Sequence, residues 1–222
     1  MNLPNKLSIL RIVMVPLFVV MYFLAFTWSP YVALAIFILA ALTDMLDGYI
    51  ARKYNLVTDL GKFLDPIADK ILVCAALFCI AATNPLRLGI GGAVVSVGSN
   101  ALLSGHVFLA VSGTLVLSRE LLIDAVRQVA ASKGKVVQAN IYGKIKTVLL
   151  DVSIPLFMAT EGVARKLESL SIISSTDLET LQTVYNIASW VSAILFALAI
   201  IMTVASGVVY IVQNRKVFAQ ND

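Results

Sequence analysis

The sequence predicts an all-α polytopic membrane protein that crosses the bilayer with six transmembrane helices. Three observations carry that reading. The 222-residue chain is 59% hydrophobic and 14% charged, with a mean hydropathy of +0.91, a balance outside that of soluble domains. Its apolar residues fall in runs of about 20, the length that crosses a hydrocarbon core. Its basic residues are distributed very unevenly among the connections.

The spans are read at 7–28, 31–53, 63–83, 105–131, 142–162 and 183–213, so that 1–222 forms one transmembrane domain. The first run is too long for the core of a signal peptide and no small-residue cleavage pattern follows it, so it is read as a span. Ser29-Pro30, Asn84-Pro85 and Lys133-Gly134 punctuate the connections. Residues 86–104, "LRLGIGGAVVSVGSNALLS", are glycine-rich and are read as an external or interfacial insert. A seventh span there would reverse the sidedness of everything after it, and charge argues against that. With six spans and the N-terminus inside, all 17 Lys and Arg except Arg87, Arg165 and Lys166 face the cytoplasm, as the positive-inside rule requires. Glu161, Glu168, Asp177 and Glu179 offset the basic residues of the last external loop. The net charge of +4 therefore reflects a basic cytoplasmic face suited to anionic lipid or phosphate. Nothing in it calls for nucleic acid.

Cys74 and Cys79 lie in one apolar run on different helix faces and read as small core residues. His106, the single histidine, reads as interfacial, which leaves histidine chemistry without a partner.

Carboxylates are the anomaly. An acid near the bilayer centre costs roughly 2.5–3.5 kcal/mol on insertion scales, so intramembrane acids default to functional candidates. Asp44 and Asp47 stand three apart at the end of the second span, and Asp65 and Asp69 four apart near the start of the third. Those spacings place each pair on one helix face, about 60° and 40° apart in projection. The short connection between the spans predicts antiparallel neighbours whose carboxylates converge. Four hard oxygen donors suit Mg2+ or Mn2+, and without His or Cys nearby zinc is disfavoured. Gly48 allows a close approach beside Asp47 and Ala51 continues that small face, Arg52 offers a forked donor for phosphate, Thr58 a hydroxyl, and Gly61 is placed to open the next helix. Any one of these is ordinary helix-end chemistry. Together they describe a diphosphate held at a membrane surface.

"DMLDGYIARKYNLVTDLGKFLDPIAD", residues 44–69, resembles the signature D-x2-D-G-x2-A-R-x8-G-x3-D-x3-D of the CDP-alcohol phosphatidyltransferases without a departure. The resemblance implies six helices, two Mg2+ or Mn2+ ions and transfer of a phosphatidyl group from CDP-diacylglycerol to an alcohol. It further implies Asp44, Asp47 and Asp65 as metal ligands and Asp69 as general base and further ligand. Gly48, Arg52, Thr58 and Gly61 take CDP-diacylglycerol-binding positions. The opening "NLPNKLSILR" resembles the family's N-terminal motif, which places Asn5 and Ser8 near the nucleotide. "SRELLIDAVRQVAASKG" and "GKIKT" are similar to the bacterial branch that uses glycerol 3-phosphate as acceptor. The resemblance also implies a homodimer in a bacterial inner membrane, with the site facing the cytoplasm.

A second cationic cluster fits such an acceptor. Arg119, Arg127, Lys144 and Lys146 lie at the cytoplasmic mouths of the fourth and fifth spans. Arg119 interrupts an apolar run, and a partly buried arginine needs an anion: Glu120, Asp124 or a substrate phosphate. An uncharged acceptor such as inositol would not need the cluster. The rival class is a divalent-cation transporter, which predicts acids spread through the depth of several helices. Here they gather at one end, with Asp151 the main exception.

Overall fold

The computed structural model describes residues 2–54, 58–83, 87–90, 93–96, 105–132, 141–170 and 175–213. Among the described residues there are six helices: α1 (Leu3–Phe23), α2 (Ser29–Lys53), α3 (Asp59–Thr83), α4 (Gly105–Ser132), α5 (Ile141–Leu170) and α6 (Ser175–Gln213). The last five contain the expected apolar runs and most extend beyond them, whereas α1 starts earlier than its expected 7–28 run and ends five residues short of it, at Phe23. The excess is largest in α5 and α6, because backbone hydrogen bonding continues into polar sequence that hydropathy alone excludes. Pro4 opens α1, where its missing N–H costs nothing. Pro16, Pro66 and Pro155 lie inside helices, as membrane helices tolerate when neighbours re-satisfy the backbone.

Five of the six helices are long and apolar enough to cross a membrane. The other, α4, is 28 residues long, about 42 Å at the usual rise. Its second half carries Arg119, Glu120, Asp124 and Arg127, all of which meet partners described below.

Between α3 and α4 lies a feature finer than the sequence reading. β1 (Arg87–Ile90) and β2 (Ala93–Ser96) pair antiparallel, with Ile90 opposite Ala93, and β1 packs against α6. Four-residue strands are far below the 9–11 residues a spanning strand needs. Residues 97–104 of the insert lie outside the described residues.

The core is made by α1 packing on α2 and α3, and by α5 packing on α6 and α2. Phe18 and Tyr22 of α1 sit against Phe37 of α2 and the end of α3. Phe157 of α5 meets Phe196 of α6 edge-on at 5.7 Å between centroids. Ala33, Ala40, Ala68, Ala76 and Ala199 are fully buried, the small residues that let membrane helices approach closely. Leu10, Val13, Leu17 and Val20 of α1, and Ile194, Leu198, Ile201 and Val208 of α6, face outward. In water that surface would be a liability, and in lipid it costs nothing.

Side-chain bonds show that the helices alternate in direction. At one end, Arg165 of α5 donates from Nη1 to the Leu24 carbonyl at 3.0 Å and Ser29 Oγ at 2.7 Å, and from Nη2 to the Tyr22 carbonyl at 3.2 Å. Glu161 anchors its Nε at 3.1 Å. Thr83 at the close of α3 donates to the Tyr22 hydroxyl at 3.0 Å. The starts of α1, α3 and α5 and the ends of α2, α4 and α6 share the opposite end, as an up-and-down bundle requires.

Arg165 thus satisfies carbonyls at the end of α1 that no helical N–H can reach. Arg165→Met removes charge-assisted bonds of roughly 1.5–3 kcal/mol each. A lower unfolding midpoint in detergent is expected, with Arg165→Lys intermediate.

Candidate functional site

The polar end of the bundle is organised by α1. Asn5, Ser8 and Arg11 recur every three residues, so one stripe of the helix carries all three, and all are buried. Each holds a different part of the acidic motif. Thr58 Oγ1 accepts from the Gly61 N–H at 3.0 Å, capping the start of α3, and donates to Asn5 Oδ1 at 2.9 Å. Ser8 Oγ donates to Asp65 Oδ1 at 2.6 Å. Arg11, with no exposed surface, reaches Asp44 Oδ1 from Nη1 at 2.7 Å and Asp47 Oδ2 from Nη2 at 2.6 Å. Its Nε donates to the Ala40 carbonyl at 3.2 Å.

This refines one expectation from sequence. The α2 and α3 helices touch each other only slightly, and α1 packs against both. The two acid pairs meet through α1 and not across a direct α2–α3 seam. Gly61 explains the close approach: a Cβ there would stand 2.9 Å from Asn5 Oδ1 and 3.2 Å from Thr58 Oγ1.

The carboxylates converge all the same. Asp47 lies within Coulombic range of Asp44 and Asp65, and Asp69 of Asp44, Arg11, Lys70 and Lys146. They differ in access, Asp47 being buried, Asp65 half-buried and Asp69 exposed. Four hard oxygen donors with no soft ligand match the chemistry of Mg2+ or Mn2+. Among the described residues no three acidic, histidine or cysteine side chains are disposed to share one ion: Arg11 holds one oxygen each of Asp44 and Asp47, and Ser8 holds Asp65. The donor set suits the ions, and Asp44, Asp47, Asp65 and Asp69 would have to re-aim to bind them. Gly48 follows Asp47 on α2, half-buried. The Arg52 side chain lies outside the described residues.

Beside the acids stands a cationic group. Arg119 Nη2 donates to Ser206 Oγ of α6 at 2.7 Å, and Nη1 to Glu120 Oε1 at 3.3 Å. Glu120 also pairs with Lys146 of α5, so one carboxylate serves two cations. Gly143 and Gly207 flank Arg119, where a Cβ would meet its side chain at ordinary contact distance, 3.7 Å from Nη2 and 3.4 Å from Cγ. Arg127 sits over the Tyr210 ring at 5.8 Å. It lines a cavity of about 480 Å3 between α3 and α4, together with Pro66, Lys70 and Asp124, where Lys70 and Asp124 form an ion pair. Lys144 is exposed whereas Lys146 is buried, as expected of residues about 200° apart around a helix.

Sequence reasoning had counted Arg11 and Lys70 only as topological charge and missed Ser206 altogether. The i, i+3, i+6 stripe of Asn5, Ser8 and Arg11 was a legible signal for the first. Asp151 of α5, an isolated acid in the sequence, lies within Coulombic range of Asp69, Asp44 and Lys146 and so belongs to the same end. Ser206 carried no signal, because its pairing with Arg119 spans 87 residues.

A helical membrane bundle whose buried arginine and serine gather acids from two helices, next to a cationic cluster, defines an integral membrane protein with a polar site at one end. The pattern of the CDP-alcohol phosphatidyltransferase family matches residues 1–205, and the chain belongs to that family. It is similar to the CDP-diacylglycerol–glycerol-3-phosphate 3-phosphatidyltransferase of Bacillus subtilis, 38% identical over 66% of this chain and 70% of the relative. The enzyme of the same name from Escherichia coli K12 is 34% identical over 66% and 70%. That from Pseudomonas fluorescens is 32% identical over 61% of this chain and 59% of the relative.

Gly61→Val drives two methyl groups into the Asn5 and Thr58 contacts. It is expected to push α1 from α3, separate Ser8 from Asp65 and lower both activity and the unfolding midpoint. A stable, fully active variant would show that this approach is not needed.

Proposed function

We propose that the protein transfers the phosphatidyl group of CDP-diacylglycerol to glycerol 3-phosphate, releasing CMP and giving phosphatidylglycerol phosphate. The observation that carries this reading is the adjacency of two chemically opposite sites at one end of the bundle. The acids held by α1 suit a metal-bound diphosphate, and the cations of α3, α4 and α5 suit an acceptor that brings its own phosphate. The names of the relatives agree with that pair of substrates. In this reading the lipid tails stay in the bilayer, the site faces the cytoplasm, and the protein works as a homodimer in a bacterial inner membrane.

Asp44, Asp47, Asp65 and Asp69 would hold two divalent ions, whose chemistry when bound is to neutralise the diphosphate. Asn5, Ser8, Gly48, Arg52, Thr58 and Gly61 seat the CDP moiety. The acceptor phosphate is taken by Arg119, Arg127 and Lys146, which turns the hydroxyl toward Asp69. Asp69, the most accessible of the acids after α1 has secured the others, takes the hydroxyl proton. The acceptor oxygen attacks the phosphorus bearing the lipid, the bond to CMP breaks, and CMP leaves with the displaced electron pair. No Ser, Cys or His is required as a nucleophile.

The test is CMP release by purified protein given CDP-diacylglycerol, Mg2+ or Mn2+ and a panel of acceptors. Glycerol 3-phosphate should be preferred over serine, inositol and phosphatidylglycerol, and preference for one of those would overturn the acceptor assignment. Asp44→Asn, Asp47→Asn and Asp65→Asn should each abolish turnover even at saturating metal. Asp69→Asn should lower kcat by about a hundredfold or more while CDP-diacylglycerol still binds.

Selectivity tests the cationic group. Arg119→Ala should raise the KM for glycerol 3-phosphate about ten- to a hundredfold, the equivalent of one charge-assisted bond of roughly 1.5–3 kcal/mol. Arg119→Lys should recover part of that loss, since it keeps charge without the fork. Exposed Lys144→Ala should matter less than Lys146→Ala. Equal weakening of both substrates would reduce the cluster to topology.

A further inference from the structure

The metal reading leaves a question about the protein before metal arrives. Asp44, Asp47, Asp65 and Asp69 lie close together, and uncompensated carboxylates repel and resist burial. Asp47 is 3% exposed, too deep for water to screen it. Arg11 answers that charge from a different helix. Its guanidinium has no exposed surface and both terminal nitrogens are spent on acids, one on Asp44 and one on Asp47. The Ala40 carbonyl fixes its plane through Nε, and the same carbonyl accepts from Thr43 Oγ1 at 2.6 Å. Lysine could not make this fork.

We infer that Arg11 is the resident counter-cation of the acidic cluster: it holds Asp44 and Asp47 in the metal-free protein and competes with divalent ions for them. The inference rests on the assignment of the acids as metal ligands and adds a positioning residue that this assignment does not name. Two consequences are opposite in sign. Without metal, Arg11 stabilises the fold, because removing one partner of a buried pair leaves an uncompensated charge. With metal, Arg11 is a like charge beside the ion and weakens its binding. A merely structural arginine would have only the first effect.

The experiment uses the full-length protein in detergent without substrate, comparing unfolding midpoints in EDTA and in saturating Mn2+, with Mn2+ affinity measured by calorimetry. In EDTA, Arg11→Met should lower the midpoint by roughly 5–10 °C or more, and saturating Mn2+ should restore most of that loss. Its affinity for Mn2+ should tighten about tenfold, the scale of deleting a unit charge a few ångströms from a divalent ion. Arg11→Lys should fall between. Adding Asp47→Asn to Arg11→Met removes the stranded anion and should recover stability in EDTA, which keeps the test decisive if the single variant does not fold. An equal loss with and without Mn2+, weaker Mn2+ binding, or no recovery in the double variant would overturn the inference. So would a wild-type protein that does not respond to Mn2+. Normal exchange between Arg11 and Mn2+ in a protein that releases no CMP would instead sink only the proposed reaction.

Discussion

The fork from Arg11 to Asp44 and Asp47 is the contact on which the polar end of the molecule depends. A bilayer end is a poor place for several acids, since each unpaired carboxylate costs desolvation that no apolar packing returns. Placing the balancing cation on α1 ties the cost to the fold itself. The acids are tolerated only when α1 lies between α2 and α3, so the helix that completes the hydrophobic core through Phe18 and Tyr22 also completes the site. Ser8 and Asn5 extend the same logic about one and two turns away, Ser8 with a bond to the Asp65 carboxylate and Asn5 with one from the Thr58 hydroxyl.

The opposite end is built on the same economy with other groups. There Arg165 serves backbone carbonyls and one glutamate, and the outer ends of α1, α2 and α5 are fastened together. Between the two ends the bundle is almost wholly apolar and closely packed on alanines. Polar residues in that middle, such as Ser153, Thr160, Ser192 and Thr203, bond to carbonyls of their own helices, so they add no charge to the interior. The division leaves one end free to carry chemistry and the other to carry stability.

Much of this was legible in the sequence because the bilayer enforces simple rules. Apolar runs of spanning length located all six helices, and the glycine-rich insert was read as lying between the third and fourth. Its hairpin was not foreseen, although Gly91-Gly92 between runs containing Ile90 and Val94-Val95 is a usable hairpin signal. Helix ends were missed, because hydropathy and hydrogen bonding do not end together: in α5 and α6 the helix runs on into polar sequence, and after Phe23 the apolar run outlasts the helix. Within the site, the local spacings of Asp44 with Asp47 and Asp65 with Asp69 could be read from helix geometry. What joins them could not: Arg11 to Asp47 spans 36 residues and Ser8 to Asp65 spans 57, and only packing decides which helix intervenes. The expected antiparallel course of α2 and α3 and the convergence of their acids are found, but most of the packing that brings them together is made by α1.

The distribution of charge bears on what kind of membrane protein this is. A cation pathway needs ligands at successive depths, so that an ion leaving one site finds the next. In this bundle the acids and their cations occupy one end of α2, α3, α4 and α5. Asp151, ten residues into α5, is still within Coulombic range of Asp69 and Lys146, and Glu161 further along is paired with Arg165 at the opposite end. Beyond it the buried side chains of α5 are Ile154, Phe157 and Met158, with Ser153 and Thr160 bonded back to carbonyls of their own helix. An ion entering from the polar end would meet a wall, whereas a lipid would meet its natural solvent on the outward faces of the same helices. The geometry therefore suits chemistry on a head group at the interface better than passage through the bilayer, which is also what membership in a family of phosphatidyltransferases entails.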